Sequence, residues 1–232
     1  SFISEEPPSE LIASVGPGGF KHTALGKATE SQIESGIRRA IEAMETTGTF
    51  GFCDFREGGA SGARIASGIG THLVKIILGR PRSVKEIDEV LAISNGIALS
   101  SLPDTDEEIA KLSSERAHQA KKLFALHLSE AAREDTIAAI GLKPDFLVHC
   151  GYCSDSDLEA IRKEEISIAI TPRSNAFYGL RVDYGRLLRL GINTLLGTDN
   201  GMVSRPDLFA EMSFLYLSAK SCARMDPEKI IS

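Results

Sequence analysis

Short apolar runs recur along the chain, separated by longer stretches in which apolar residues return every three or four positions. The runs are "TFGFCDF" (49–55), "LVKIIL" (73–78), "GIALS" (96–100), "LFALHL" (123–128), "FLVHC" (146–150), "ISIAI" (166–170) and "NTLLGTD" (193–199), which predict seven strands. Between them lie helical patterns. In "TESQIESGIRRAIEAMETTG", Ile33, Ile37, Ile41 and Met44 form one stripe, Thr29 offers a cap and Gly48 a stop. "SVKEIDEVLAI", "DTDEEIAKLSSERAHQAKK", "AREDTIAAIGL", "SDSDLEAIRKE", "DYGRLLRLG" and "RPDLFAEMSFLYLSAK" follow the same logic, several opening on Ser or Asp. The glycine-rich stretch at 59–70, "GASGARIASGIG", is the weakest helix because each glycine costs helix stability.

Strand and helix alternating at this interval mean parallel strands joined by crossover helices. Seven strands suit an open doubly wound sheet and fall one short of a (β/α)8 barrel. No Gly-x-Gly-x-x-Gly turn follows a strand, since "GPGG" at 16–19 has none before it.

Composition narrows the function classes. The chain has 232 residues, 42% of them hydrophobic, enough for one large domain over 1–232. Its 26 basic and 32 acidic residues give a net charge of −6 without a basic block, which argues against a nucleic-acid partner. No apolar run reaches the roughly 18 to 20 residues needed to cross a bilayer, and the opening "SFISEEPPSE" is acidic rather than signal-like, so a cytoplasmic protein is expected. The four cysteines, Cys53, Cys150, Cys153 and Cys222, are too sparse for a disulfide framework and are expected as thiols.

The polar residues at strand ends decide for the barrel. His127, His149 and Asp199 each stand at the C-terminal end of an apolar run, and Glu130 follows His127 by three residues. Parallel barrels build their active sites on that face, from the ends of different strands. Singly, each residue has a plain structural alternative: a satisfied histidine, or an aspartate capping a helix or bonding a loop. Together they suit metal-assisted hydrolysis. Imidazole and carboxylate accept Zn²⁺ or Fe²⁺, and a metal with an open position makes water nucleophilic near neutral pH. In such a site Asp199 takes the water's proton, Glu130 passes a proton to a ring nitrogen or leaving group, and His149 orients the water or polarises the oxyanion.

"LHLSE", "LVHCGYCSDSDLEAI", "ISIAITPRSN" and "LLGTDN" resemble, in order and separation, the second half of the amidohydrolase superfamily, in particular its cytosine deaminase, guanine deaminase and chlorohydrolase branch. The likeness is strong over about 120–220, and "GFCDFREGG" resembles the region after the family's first strand less specifically. It implies a TIM-type (β/α)8 barrel, here without its first strand and the small terminal β-sandwich. It also implies one divalent metal, zinc in preference to iron, held by His127 and Asp199. Glu130 becomes the proton shuttle, His149 and Asp199 catalytic groups, and "PRSN" a wall of the substrate pocket. Arg173 or Asn175 would then reach substrate, with helix capping by Ser174 and Asn175 as the equal alternative. Asp54 and Arg56, with Glu57, face the reactive end or pair among themselves; Arg80 is similar.

The family's His-x-His pair is missing. His22 in a glycine-rich loop, His72 before a strand and His118 on a helix read as structural or surface residues. A fragment lacking strand one is the simplest expectation, one that holds metal poorly and is inactive by itself. "CGYC" at 150–153 has metal-like spacing without a second pair of ligands. The cytidine deaminase pattern of His-x-Glu and Pro-Cys-x-x-Cys is absent as well. Lys75, a charge inside a strand, has no account at this level.

The leading expectation is hydrolytic deamination of an amino-substituted purine, pyrimidine or triazine. Hydrolysis of a cyclic amide or loss of ring halide would use the same site, and a metal-free barrel serving as a binding or scaffold subunit is the rival from another class. The partner expected is a small-molecule substrate, with neither nucleic acid nor membrane, and a homo-oligomer is allowed for.

Overall fold

The computed structural model describes residues 5–220. Cys222 and the opening "SFIS" lie outside them. In chain order the elements are α1 (Leu11–Val15), α2 (Phe20–Lys27), α3 (Glu30–Thr46), β1 (Gly51–Arg56), α4 (Gly59–Gly68), β2 (Val74–Gly79), α5 (Ile87–Ile93), β3 (Gly96–Leu99), α6 (Glu107–Gln119), β4 (Leu123–Leu128), α7 (Thr136–Gly141), β5 (Phe146–His149), α8 (Asp155–Lys163), β6 (Ser167–Ile170), α9 (Pro172–Phe177), α10 (Tyr184–Arg189), β7 (Thr194–Leu196) and α11 (Leu208–Lys220). All seven expected strands form, hydrogen-bonded in the order β1 to β7, and the pairs from β1 to β5 are parallel. This is the strand order of a TIM-type barrel, with seven of its eight strands among the described residues.

The chain divides into two compact units, Phe50–Ile168 and Ser1–Thr49 with Ala169–Ser232. In the first, Leu78, Ala98 and Ala125 form a fully buried cluster against Phe55, Ile76, Leu123 and Phe146. The register pairs Phe55 with Leu78, Ala98 with Ala125 and Ala125 with Phe146, so these side chains share one sheet face. The opposite face meets helices: a Cβ on Gly79 would lie 2.5 Å from Val90 Cγ1 of α5 and 3.2 Å from Ala63 Cβ of α4.

Local chemistry explains the boundaries. Thr29 and Gln32 form a capping box at α3, whose Ile37 and Ile41 are buried. Asp106, Asp135 and Ser154 accept from the first backbone N–H groups of α6, α7 and α8. Ser83 makes no such cap, and the chain enters α5 through a 3₁₀ turn at Val84–Glu86. Gly62 of α4 serves packing: a Cβ there would stand 1.9 Å from the Glu57 carbonyl oxygen. Lys75 is accounted for as well. Its Nζ donates to the carbonyls of Ala66 (3.1 Å), Ser67 (2.8 Å) and Ile69 (2.6 Å), closing the C-terminus of α4.

In the second unit α1, α2 and α9 form where the apolar pattern is too short to announce a helix. His22 therefore sits on α2 rather than in a loop, with Nδ1 2.9 Å from the Gly16 carbonyl. β7 stops at Leu196, so Asp199 lies in the turn beyond the strand, and Gly197 N–H donates to Ile170 O at 2.9 Å.

Candidate active site

In the unit Phe50–Ile168, three of the expected residues come together. His127 is the fifth residue of β4 and shares the face of Ala125. Its Nδ1 lies 2.7 Å from the Leu99 carbonyl, an acceptor only, so Nδ1 is the donor of this hydrogen bond. The Phe55 ring meets the imidazole in a T-shaped contact, with centroids 5.3 Å apart. Anchoring one nitrogen on a backbone carbonyl fixes the orientation of the ring, as it does for ligating imidazoles.

The His149 ring centroid is 5.4 Å from that of His127, and His149 Nε2 is 3.4 Å from Glu130 Oε2. His149 is 2% exposed and ends β5 in the left-handed backbone region, with φ 71°. Seven described non-glycine residues have positive φ. Lys121, Lys143 and Glu165 occupy helix-to-strand turns, whereas Ser129, His149, Cys150 and Asp199 follow or end strands β4, β5 and β7. Backbone strain of this kind collects where side chains must be aimed.

A second carboxyl stands nearby that the sequence pattern did not single out. Burial pushes Glu134 above the usual carboxylate range, with Glu130 among the charges that add to the shift. Among the described residues its Oε2 is buried without a hydrogen-bond partner.

Asp54 and Arg56 are turned away from this group. They pair with Ile77 and Gly79 on the helix-facing side of the sheet and bind one another, Nε to Oδ2 at 3.0 Å and Nη2 to Oδ1 at 3.0 Å. Residues i and i+2 share a strand face, which is what lets the pair form. Glu57 is held by Arg80 at 2.7 Å.

In the other unit, Ser174 Oγ donates to Asp199 Oδ2 at 2.5 Å. Asp199 is exposed, so the cost of burying a carboxylate, anticipated from its apolar run, does not arise. Ser174 is fully buried and fixes one carboxylate oxygen, a role the sequence did not disclose. Neither Ser174 nor Asn175 caps a helix. Asn175 Nδ2 donates to Tyr184 Oη at 3.0 Å, and Thr171 stands at the N-cap of α9. Arg173 Nε donates to the buried Glu211 at 2.7 Å, and its Nη2 to Arg205 O at 2.7 Å. Glu211 is pushed up by burial, an effect that the Arg173 contacts oppose.

For a divalent metal the donors fit in kind. His127 offers Nε2, and Asp199 an exposed carboxylate. They are short in number, because among the described residues no three His, Cys, Asp or Glu side chains gather around one point. Among these residues no helix is long and apolar enough to cross a membrane.

No protein-family model matches the chain. It is 38% identical over 224 residues to a protein of Archaeoglobus fulgidus named "Putative aminohydrolase", covering 95% of this chain and 66% of the relative. A Methanothermobacter thermautotrophicus protein of the same name is 30% identical, with 90% of this chain and 61% of the relative covered. The chain thus spans about two thirds of these curated relatives or slightly less. Among solved structures, the Helicobacter pylori aminofutalosine deaminase in complex with methylthio-coformycin superposes with a TM-score of 0.73 at 13% identity, covering 98% of this chain and 66% of that one. The guanine deaminase of C. acetobutylicum with bound guanine gives 0.65 at 17% identity, covering 85% and 60%. An adenosine deaminase of Xanthomonas campestris with bound zinc gives 0.66 at 16%, covering 87% and 54%. Likeness at such low identity establishes the fold alone; the family rests on the relatives at 30% identity or more. The chain belongs to the amidohydrolase superfamily.

Proposed function

We propose that this chain carries the reacting groups of a hydrolytic deaminase acting on an amino-substituted purine. The observation that carries the proposal is the arrangement at β4 and β5: His127 anchored through Nδ1 on Leu99 O, beside a Glu130–His149 contact of 3.4 Å. The names of the deaminases it resembles in fold support the purine amine.

His127 through Nε2 and Asp199 through its carboxylate are the proposed metal ligands, with zinc the ion to try first. Such a metal, when bound, supplies a water that is nucleophilic near neutral pH. Asp199 receives that water's proton, its carboxylate held by the Ser174 hydroxyl. Glu130 gives a proton to the ring nitrogen as the amino-bearing carbon is attacked; the proton held by Asp199 then passes to the departing amine, the C–N bond breaks and ammonia leaves, while the hydroxyl proton of the adduct returns to Glu130 as the C=O bond forms. His149 holds Glu130 and turns its imidazole toward the developing oxyanion. Arg173, Asn175, Asp54 and Arg56 already have protein partners, so we assign them to positioning the elements around the site rather than to substrate contact.

Two ligands hold zinc far more weakly than the usual three or four. The test is therefore ammonia release from a panel of amino-purines and amino-pyrimidines, with and without added zinc. It is run on this chain and on an upstream-extended form bearing a His-x-His pair. The expected result is zinc-dependent ammonia release from a purine by the extended form, abolished by Glu130→Gln, with little from this chain alone. Zinc-loaded protein that releases ammonia from no member of the panel would overturn the proposal.

A further inference from the structure

"CGYC" at 150–153 has metal-like spacing and no second pair of ligands, and the proposed deaminase chemistry makes no use of it. The structure shows what the motif builds. Cys150 directly follows His149 with φ 53°, and its N–H donates to Leu128 O at 2.9 Å. Cys153 N–H donates to Cys150 O at 3.3 Å, so the chain turns back on itself between the two cysteines. The thiols hydrogen-bond to each other, and Cys153 also engages the Ser129 hydroxyl and, at 4.0 Å, the Thr136 hydroxyl. Both cysteines are 2% exposed, yet the turn lies at the surface, with Tyr152 between them 37% exposed.

The two sulfurs differ in kind. Hydrogen bonds from Cys150, Ser129 and Thr136 draw the Cys153 thiol below its ordinary value despite burial, whereas burial pushes Cys150 well above it. One thiol poised to ionise beside one kept protonated is the division found in dithiol couples. Cys53 contrasts with both: its surface is partly open, but the packing around its sulfur and the Asp54 carboxylate push it up to about 12.

We propose that Cys150 and Cys153 are an oxidation site, a dithiol that a small hydroperoxide closes to a disulfide, with Cys153 attacking and Cys150 resolving. The sulfur of Cys153 attacks one peroxide oxygen; an S–O bond forms, the O–O bond breaks, and the leaving oxygen departs as water with the thiol proton. Cys150 then attacks the sulfenic sulfur; the S–S bond forms, the S–O bond breaks and a second water leaves. The two thiols lose two electrons and the peroxide gains them. A water-sized oxidant suits sulfurs covered by one turn of chain, where bulky disulfides are excluded. Closure also reaches the reacting groups: it replaces the Ser129–Cys153 hydrogen bond next to Glu130 and tightens the turn that begins at His149.

The test is intact mass and peptide mapping of the reduced native chain after brief exposure to stoichiometric hydrogen peroxide. The expected result is a loss of about 2 Da confined to the 150–153 pair, reversed by a dithiol reductant, with Cys53 unmodified. Under the same exposure Cys150→Ser stops at a sulfenic acid on Cys153, trapped by dimedone, and Cys153→Ser leaves Cys150 reduced. Oxygen added at Cys53 or Cys222 while the pair stays reduced would overturn the inference, as would Cys153→Ser protein whose Cys150 oxidises as fast. Should either variant fail to fold, the wild-type map decides alone. None of these readouts depends on deaminase activity.

Discussion

The rings of His127 and His149 lie 5.4 Å apart, yet the strand register sets the two residues on opposite faces of the sheet. His127 pairs with Val148, and His149 with Leu128. Simple alternation would send His149 into the helix layer with Leu128. The left-handed backbone at His149, φ 71°, is where alternation breaks and the imidazole is re-aimed toward His127 and Glu130.

That geometry separates stability from function at one position. A β-carbon in the left-handed region costs about 1 kcal/mol or more, and glycine escapes it. His149→Gly is therefore expected to be more stable than His149→Ala by about 1 kcal/mol in urea unfolding, and in the upstream-extended form both are expected to remove the proposed ammonia release. Equal stability of the two variants would mean that the backbone there is unstrained.

The strands and most helices were legible in the sequence because period determines them, and His127, Glu130 and His149 stood out by their position at strand ends; the re-aiming of His149 was not legible, because a left-handed backbone breaks the alternation. The orientation of Asp54 and Arg56 was not: strand parity fixes the face only once the register is known, and Phe55 rather than its neighbours turned out to share His127's side. Ser174 was hidden for a different reason. Its partner Asp199 is 25 residues away, and no local period connects α9 with the turn after β7. Arg173 looked available to substrate because its partner, Glu211, lies 38 residues on in an apolar helix pattern.

The glycines of α4 give a prediction of opposite signs within one helix. Gly62→Ala drives a Cβ to 1.9 Å from Glu57 O and is expected to cost about 2 kcal/mol or more. Gly68, exposed and with nothing within 4 Å of an added Cβ, is expected to gain up to about 1 kcal/mol as alanine. Thermal unfolding of the two variants checks both, and a destabilised Gly68→Ala would show that the helix ends before it.

Lys75 closes α4 from the neighbouring strand through three carbonyls. Lys75→Met keeps the length of the side chain and removes the donors. It is expected to cost about 1–2 kcal/mol. Hydrogen exchange should show the loss at the last turn of α4 first; loss spread evenly over the sheet would point to packing instead.

Ser174→Ala leaves Asp199 without its 2.5 Å donor. If Asp199 is the base, the variant of the upstream-extended form should lose roughly tenfold in kcat with KM nearly unchanged, in line with a hydrogen bond to a charged group. Ser174→Thr retains the hydroxyl and should recover part of the loss. A rise in KM alone would place Ser174 in substrate binding.

Asp157 provides the pH test. Arg133 holds it through Nε to Oδ2 at 2.7 Å and Nη2 to Oδ1 at 3.0 Å, and Ser154 adds its N–H at 2.8 Å and its hydroxyl at 2.7 Å. These contacts, the Arg133 side chain foremost, keep the carboxyl well below the usual carboxylate range. A carboxyl depressed in the folded state binds its proton more weakly there than in the unfolded chain. Its stabilising contribution is therefore complete above the unfolded value of about 3.9 and fades as pH falls from there toward the folded value. Asp157→Asn should be less stable than wild type at neutral pH, with the gap constant down to about pH 5 and narrowing below about pH 4. Salt should reduce the gap only in part: Arg133 is 63% exposed and screened, whereas the Ser154 contacts belong to the capping box of α8. Urea unfolding at several pH values and two ionic strengths measures both effects. A gap that grows on acidification would mean that Asp157 is protonated in the folded protein and that the capping box, not the ion pair, sets its role.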